Sequence, residues 1–95
     1  MAVKEFVLDG SNMVSVDGFY DEVQRVLCPD FSGFGRNLDA LNDILRGGFG
    51  TFEYGDQIRI RIVNVHKMRM NLEASFFRHV MEVLEESENV ELSLE

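Results

Sequence analysis

The sequence predicts an α/β domain in which parallel strands alternate with helices. Short apolar runs typical of strands are separated by stretches of helical periodicity, which implies parallel pairing through right-handed crossovers. The run Ile58–Ile62 alternates between isoleucine and arginine, so one face of the sheet should be buried and the other wet. Helices therefore cover a single face, or this strand lies at an edge. With 95 residues, the chain has the length of one domain, taken as residues 1–95.

Caps and breakers set the bounds of the predicted elements. Ser15 and Asn37 are good N-cap residues, and each predicts the start of a helix. Pro29 ends the first of these helices, and Gly47 ends the second. The segment Phe49–Gly55 has no assignment. The predicted elements are, in order, the strand Lys4–Leu8, the helix 16–27, the helix 37–46, the strand Gln57–Val65, a basic connection at His66–Met70, the helix 71–86 and the strand Val90–Leu94.

The net charge excludes some partners and favours others. Seventeen acidic residues against nine basic ones give a net charge of −8. Nucleic acid and anionic membranes would be repelled, because both bind clustered Lys and Arg. A basic protein partner would be attracted. No apolar run approaches a membrane span, and Met1–Gly10 shows no secretory signal, so we expect a cytoplasmic protein.

Nucleophilic and metal chemistry have little support in the sequence. Cys28 is the only cysteine, which excludes an internal disulfide and a cysteine cluster for zinc. It ends an apolar helical stretch, so a small buried side chain is expected. His66 and His79 have no paired acid motif, and His79 lies within the long helix. We expect no catalysis, no cofactor and no metal.

The segment Phe34–Arg46 holds the sharpest pattern. Apolar residues recur there at spacings of three and four and face the core: Leu38, Leu41, Ile44 and Leu45. The opposite side carries Asp39, Asn42, Asp43 and Arg46. Asp39 and Asp43 lie one turn apart, and an ionised carboxylate accepts bidentate bonds from a guanidinium. The pair therefore suits a cationic partner, although an ordinary solvated helix face gives the same pattern.

This segment resembles the barstar family, small intracellular inhibitors of secreted ribonucleases. The family pattern is an aromatic, Gly, any residue, Asn, an apolar residue, Asp, Ala, Leu, and a second Asp four residues after the first. The matching residues run Phe34-Gly35-Arg36-Asn37-Leu38-Asp39-Ala40-Leu41-Asn42-Asp43-Ile44-Leu45. The other elements agree with the family in order and spacing. The resemblance implies a two-layer α/β fold, with a three-stranded parallel sheet and helices packed on one face.

The resemblance also implies how a partner is bound. Asp39 would meet the catalytic bases and phosphate-binding arginines of a basic ribonuclease, in imitation of the substrate phosphate, and Asp43 would contact neighbouring groups. The family's acidic contact in the long helix maps to Glu82, with Glu85 or Glu86 as alternatives. The implied partner-binding residues are Phe31, Phe34, Gly35, Asn37, Leu38, Asp39, Asn42, Asp43, Arg46 and Glu82.

Aromatic residues mark where this chain departs from the family. Phe31 and Phe34 are implied to give apolar contact with the partner. The best-known member carries large aromatics where this chain has Gly33, Asn42 and Gly48. Buried aromatics often anchor interfaces. The chain therefore shares with the family the acidic residues that imitate phosphate, but it lacks these aromatic residues.

Three functions remain open at this point. The first is an inhibitor that blocks a basic ribonuclease and is a monomer when free. The second is an immunity or regulatory protein of the same fold whose target is not a ribonuclease. The third is a small enzyme that uses the Asp pair or His66, which the short chain and the missing nucleophile–base pairs disfavour.

Overall fold

A three-stranded parallel sheet forms one layer of the molecule. The computed structural model describes residues 3–95, so Met1 and Ala2, the start of the segment searched for a secretory signal, lie outside it. The strands are β1 (Lys4–Asp9), β2 (Ile58–Val63) and β3 (Val90–Leu94), in the order β1-β2-β3. The helices are α1 (Val16–Leu27), α2 (Leu38–Arg46), α3 (Val65–Asn71) and α4 (Ala74–Glu86), with one 3₁₀ turn at Gly10–Asn12.

Both neighbouring strand pairs are parallel and in simple register. Phe6 lies opposite Ile60, which in turn lies opposite Leu92. The helices α1 and α2 connect β1 to β2, and α3 and α4 connect β2 to β3. The isoleucines of β2 are fully buried under the helices, whereas Arg59 and Arg61 stay at the opposite face. The predicted α/β fold with helices on one face is confirmed.

The core lies between the covered face of the sheet and the helices. Phe19 of α1, Leu45 of α2 and Val80 of α4 are each at most 1% exposed and belong to one apolar cluster with the β2 isoleucines. Phe19 also packs edge-on against Phe76, with ring centroids 5.5 Å apart. The helices are therefore held by burial of their apolar stripes, which contributes roughly 25 cal/mol per Å² of apolar surface removed from water.

A buried carboxylate joins α1 to the end of β1. Glu22 is 3% exposed and accepts the Asp9 backbone N–H at 2.8 Å. Its other oxygen accepts from the Arg25 guanidinium, with the closest contact at 2.8 Å. Both carboxylate oxygens are thus partnered, which is what makes a charge tolerable at this depth.

Ion pairs cover the open face of the sheet. Arg61 lies 2.9 Å from Glu5 and 2.7 Å from Glu95, and Arg59 lies 3.2 Å from Glu91. Arg59 also lies 3.6 Å from Glu5, so each arginine pairs with Glu5 of β1 and with a glutamate on β3 or directly after it. On the face opposite the helices, both arginines are thus paired with glutamates.

The prediction for the segment after β2 is wrong. His66–Met70, expected to be a basic connection, lies within the helix α3, and β2 ends at Val63 rather than Val65. Asn64 adopts a left-handed backbone with φ 52°, which stops the strand and starts the helix. Met68 and Leu72 are both buried and lie four residues apart, which is a helical spacing. This short helical pattern is hard to recognise in the sequence because it directly follows the alternating pattern of β2.

The long helix also begins later than predicted. Its first residue is Ala74 rather than Asn71, because Leu72 is extended and buried between α3 and α4. The predicted end at Glu86 is confirmed. Within residues 3–95, no helix has the length and apolar character needed to span a membrane.

Candidate functional site

The loop between α1 and α2, residues 28–37, places one phenylalanine inside the core and one at its border. Phe34 packs edge-on against Tyr20, with centroids 5.8 Å apart, and is 7% exposed. Phe31 is half-buried against Phe49, with centroids 4.8 Å apart. Phe34 therefore supports the loop from inside, and of the two phenylalanines implied for partner contact, Phe31 keeps more of its surface open.

Arg36 ties this loop to α1. Its φ of 52° is a left-handed conformation that is costly for a residue with a Cβ. Its guanidinium donates to the Asp21 carboxylate over 2.9 Å and to the Asp17 carbonyl over 3.1 Å. It also lies 5.9 Å from the centre of the Tyr20 ring, within cation–π range. Sequence reasoning did not predict this role of Arg36, because neither the left-handed torsion nor the approach to α1 is a local pattern.

Both ends of α2 are capped as predicted. The Asn37 side-chain oxygen accepts the Ala40 N–H at 2.7 Å, and its amide donates to the Gly35 carbonyl over 3.3 Å. Gly47 ends the helix with φ 95°, where a Cβ would collide with the carbonyl of Glu53. Glycine is thus required at this position for both torsion and space.

The outward face of α2 presents two free carboxylates. Leu41, Ile44 and Leu45 are buried, while Asp39 and Asp43 are exposed. Within residues 3–95, neither aspartate has an ion pair or a side-chain hydrogen bond. Asp39 also lies in the first turn, where the helix dipole favours a negative charge. The two carboxylates stand outward and one turn apart.

Arginines neutralise acids elsewhere on the chain. Arg25 holds Glu22 at 2.8 Å, Arg36 holds Asp21 at 2.9 Å, and the arginines of the open sheet face hold three glutamates. None of these pairs reaches α2. Within residues 3–95, the acids without an ion pair include Asp39 and Asp43 of α2, and Glu85, Glu86 and Glu88 at or just after the C-terminal end of α4.

An open groove of about 460 Å³ continues the α2 face toward α4. Its lining includes Asn42 and Arg46 of α2, Glu86 of α4, and Glu88 and Tyr54 from the adjoining loops. The helices α2 and α4 also contact one another directly. The groove thus places a glutamate of the long helix on the same surface as the α2 face.

The structure distinguishes the three glutamates considered for the long helix. Glu82 lies 3.9 Å from Arg78, one turn before it on α4. Glu86 lines the groove beside Asn42 and Arg46, which neither Glu82 nor Glu85 does. Among the three, Glu86 is the one that lines this groove.

Comparison with protein families shows which family this chain belongs to. A family model described as barstar (barnase inhibitor) matches residues 3–92. The chain belongs to the barstar family. A search of curated proteins gives no match. The barstar match runs from the start of β1 into β3 and includes all four helices.

Outside the outward face of α2 and the adjoining groove, the remaining reactive side chains are dispersed. Cys28 is fully buried, as predicted, and burial raises the pKa of its thiol. His66 and His79 are exposed on α3 and α4. Among residues 3–95, no three His, Cys, Asp or Glu side chains are grouped so as to hold a metal ion.

One exposed residue beside the α2 face has no counterpart among the residues singled out from the sequence. Tyr54 lies in the segment Phe49–Gly55, which the sequence left unassigned, and it is 77% exposed at the rim of the groove. The available signal was an aromatic next to Gly55 and two residues after Phe52, which is buried. The contrast between these two rings appears only once the loop is folded.

Proposed function

We propose that this chain inhibits a basic ribonuclease by placing Asp39 and Asp43 in the enzyme's phosphate-binding site. The observation that carries the proposal is the exposure of both carboxylates, outward on one helix face and outside any ion pair within residues 3–95. Membership of the barstar family supports a role as an inhibitor of this kind. A cytoplasmic location is part of the same proposal.

Electrostatics favours this use of the two carboxylates. Like charges at a spacing of four residues on an exposed helix repel by about 0.2–0.5 kcal/mol. Guanidinium groups inserted opposite Asp39 and Asp43 would relieve that repulsion and form charge-assisted hydrogen bonds. The net charge of −8 would also speed the encounter with a basic enzyme.

The rigidity of the α2 face is the second requirement. The caps at Asn37 and Gly47 and the buried leucines of α2 hold the helix before any partner arrives. Binding then does not have to order the segment, which lowers the entropic cost of association. Around the two carboxylates, Asn42 and Arg46 extend the surface in one direction and the loop residues Phe31 and Gly35 in the other.

A second candidate is an immunity or regulatory protein whose target is not a ribonuclease. Arg46 favours it, because this cation lies three residues after Asp43 on the same helix and has no ion pair within residues 3–95. The positive charge of Arg46 would repel a target whose binding site contains only arginines. A target with an acidic residue opposite Arg46 would instead be attracted to it.

The deciding experiment is a titration of a barnase-type ribonuclease with this chain, read as the rate of RNA hydrolysis. We expect stoichiometric inhibition, with an association rate that falls between about 50 mM and about 300 mM salt, because salt screens the attraction. Full hydrolysis with an excess of folded chain would reject a barnase-type target. Capture of a basic protein other than a nuclease would then support the second candidate.

Catalysis by the chain itself is tested separately. The chain alone is incubated with RNA, nucleotides and simple esters, and the products are followed by chromatography. We expect no turnover. Turnover that disappears in Asp39→Asn would reassign the α2 face to an active site.

A further inference from the structure

Tyr54 is an exposed ring at the groove that adjoins the outward face of α2. It is 77% exposed, and the other strongly exposed apolar side chains within residues 3–95 are aliphatic. The outward face of α2 carries no aromatic residue. Tyr54 is therefore the ring that a partner docked on the groove would meet first.

The loop that carries Tyr54 is held in place by hydrogen bonds on both sides of the ring. The Gly55 N–H donates to the Arg46 carbonyl over 2.8 Å. The Glu53 N–H donates to the Asp56 carboxylate over 3.0 Å, and the Asn89 amide donates to the Asp56 carbonyl over 3.0 Å. The ring thus projects from a backbone that is tied to the end of α2 and to the turn before β3.

Contacts with the core also hold the loop that carries Tyr54. Phe52 is 4% exposed and packs against Phe6, with ring centroids 5.4 Å apart. The Thr51 hydroxyl donates to the Leu27 carbonyl over 2.6 Å. Because the loop is already ordered and tyrosine has few rotatable bonds, a partner that stacks on Tyr54 loses little conformational entropy.

The walls of the groove carry charges that favour a cation. Glu86 and Glu88 line it and have no ion pair within residues 3–95. Arg46 lines it as well, so the formal charge of the lining is −1. A planar guanidinium can stack on a tyrosine ring and pair with a carboxylate at the same time, which an ammonium group does less well.

We propose that the groove between Tyr54 and Glu86 binds an arginine side chain of the partner protein, with the guanidinium stacked on the tyrosine ring. The inference rests on the proposed function in one respect, since the arginine belongs to the protein that α2 binds. It adds a second contact point, separate from the Asp39–Asp43 pair and specific for arginine over lysine.

The first test uses a hexa-arginine peptide as the probe and needs no ribonuclease. The chain contains no tryptophan and two tyrosines, of which Tyr20 is buried, so the ring NMR signals of Tyr54 can be told from those of Tyr20 by comparison with Tyr54→Phe. We expect saturable changes at Tyr54 and at the Glu86 amide, and weaker binding of hexa-lysine. Tyr54→Ala should weaken peptide binding about threefold or more, and Tyr54→Phe should retain it.

Charge variants test the groove in both directions. Glu86→Gln should weaken binding of hexa-arginine, and Arg46→Gln should strengthen it, because it removes the one cation of the lining. Met70→Ala is the control, since Met70 is 80% exposed on α3 and does not line the groove. Peptide binding that is diffuse over the acidic surface and unchanged in Tyr54→Ala would overturn the inference.

The second test uses the barnase-type ribonuclease and separates the two proposals. If the enzyme is inhibited and Tyr54→Ala lowers the affinity about tenfold or more, with Met70→Ala unchanged, both proposals stand. Inhibition with equal affinities for Tyr54→Ala and the unaltered chain would reject the groove and keep the inhibitor. Arginine-selective peptide binding without inhibition would keep the groove and reject the ribonuclease.

Discussion

The Arg36 guanidinium donates a hydrogen bond to the Asp21 carboxylate over 2.9 Å, and this contact joins the loop before α2 to the middle of α1. The backbone of Arg36 is left-handed, so the loop is strained where the side chain holds it. Asn37, the cap of α2, follows immediately. The position of the α2 carboxylates therefore depends on an arginine that is not itself on α2.

Replacing Arg36 tests whether it positions the site. Arg36→Ala makes the chain more negative, so charge alone would strengthen attraction to a basic enzyme. We expect the reverse: a dissociation rate raised several-fold, because the start of α2 loses its tie to Asp21 and to Tyr20. Stopped-flow and competition kinetics measure the two rates.

Lys67→Ala is the matched control for Arg36→Ala. It removes one positive charge from an exposed position on α3 that has no ion pair within residues 3–95. We expect an unchanged dissociation rate. If both variants behave alike, Arg36 acts through charge and the positioning role is wrong.

Asp39→Asn tests the central carboxylate. The side chain is exposed and unpaired, so the free energy of unfolding should change by no more than about 0.5 kcal/mol. Binding should weaken by about 2–5 kcal/mol, a general range for desolvated charge pairs that includes measurements on the barnase–barstar complex. Calorimetry measures binding, and thermal melting measures stability.

Glu73→Gln is the control for that change. It removes the same charge from an exposed residue before α4 that does not line the groove, so affinity should be almost unchanged. A large loss of stability in Asp39→Asn with unaltered binding would reject the site assignment.

Glu22→Ala should destabilise the chain. The substitution leaves the Asp9 N–H without its partner and removes the pair with Arg25, which costs about 1–3 kcal/mol. Urea unfolding followed by circular dichroism measures the change. Glu85→Ala, an exposed position on α4, serves as the control and should stay within about 0.5 kcal/mol. Equal effects of the two variants would show that Glu22 does not join α1 to β1.

The ion pair of Arg61 with Glu95 should make stability depend on pH in acid. Hydrogen bonds from Arg61 and then Ser93 lower the pKa of Glu95 from 4.5 to about 2. Because the folded chain holds this carboxylate ionised, its contribution is complete above about pH 4.5 and is lost as the pH falls through about 2. Glu95→Gln should therefore lower the melting temperature at pH 7 and have a much smaller effect near pH 2, where the carboxylate of the folded chain is already partly protonated. A loss of equal size at both pH values would contradict the assignment.

The residues of α2 show how much of the site the sequence determined. The cap at Asn37, the stop at Gly47 and the outward direction of Asp39 and Asp43 follow from local rules, because a helix of 3.6 residues per turn sorts side chains by spacing alone. The alternation in β2 gave the one-sided sheet by the same kind of argument, since side chains on a strand alternate between its faces.

Contacts between distant segments decided the rest. Phe34 turns into the core because Tyr20 of α1 lies beside it, and α3 starts where it does because Asn64 adopts a left-handed torsion. The loop of Tyr54 is fixed by hydrogen bonds to the end of α2 and to the turn before β3. Glu86 lines the same groove as residues of α2 because α2 and α4 pack together. Spacing along the chain specifies which face of one element a residue occupies. Which faces meet is specified only when the apolar stripes of all the elements are buried against one another.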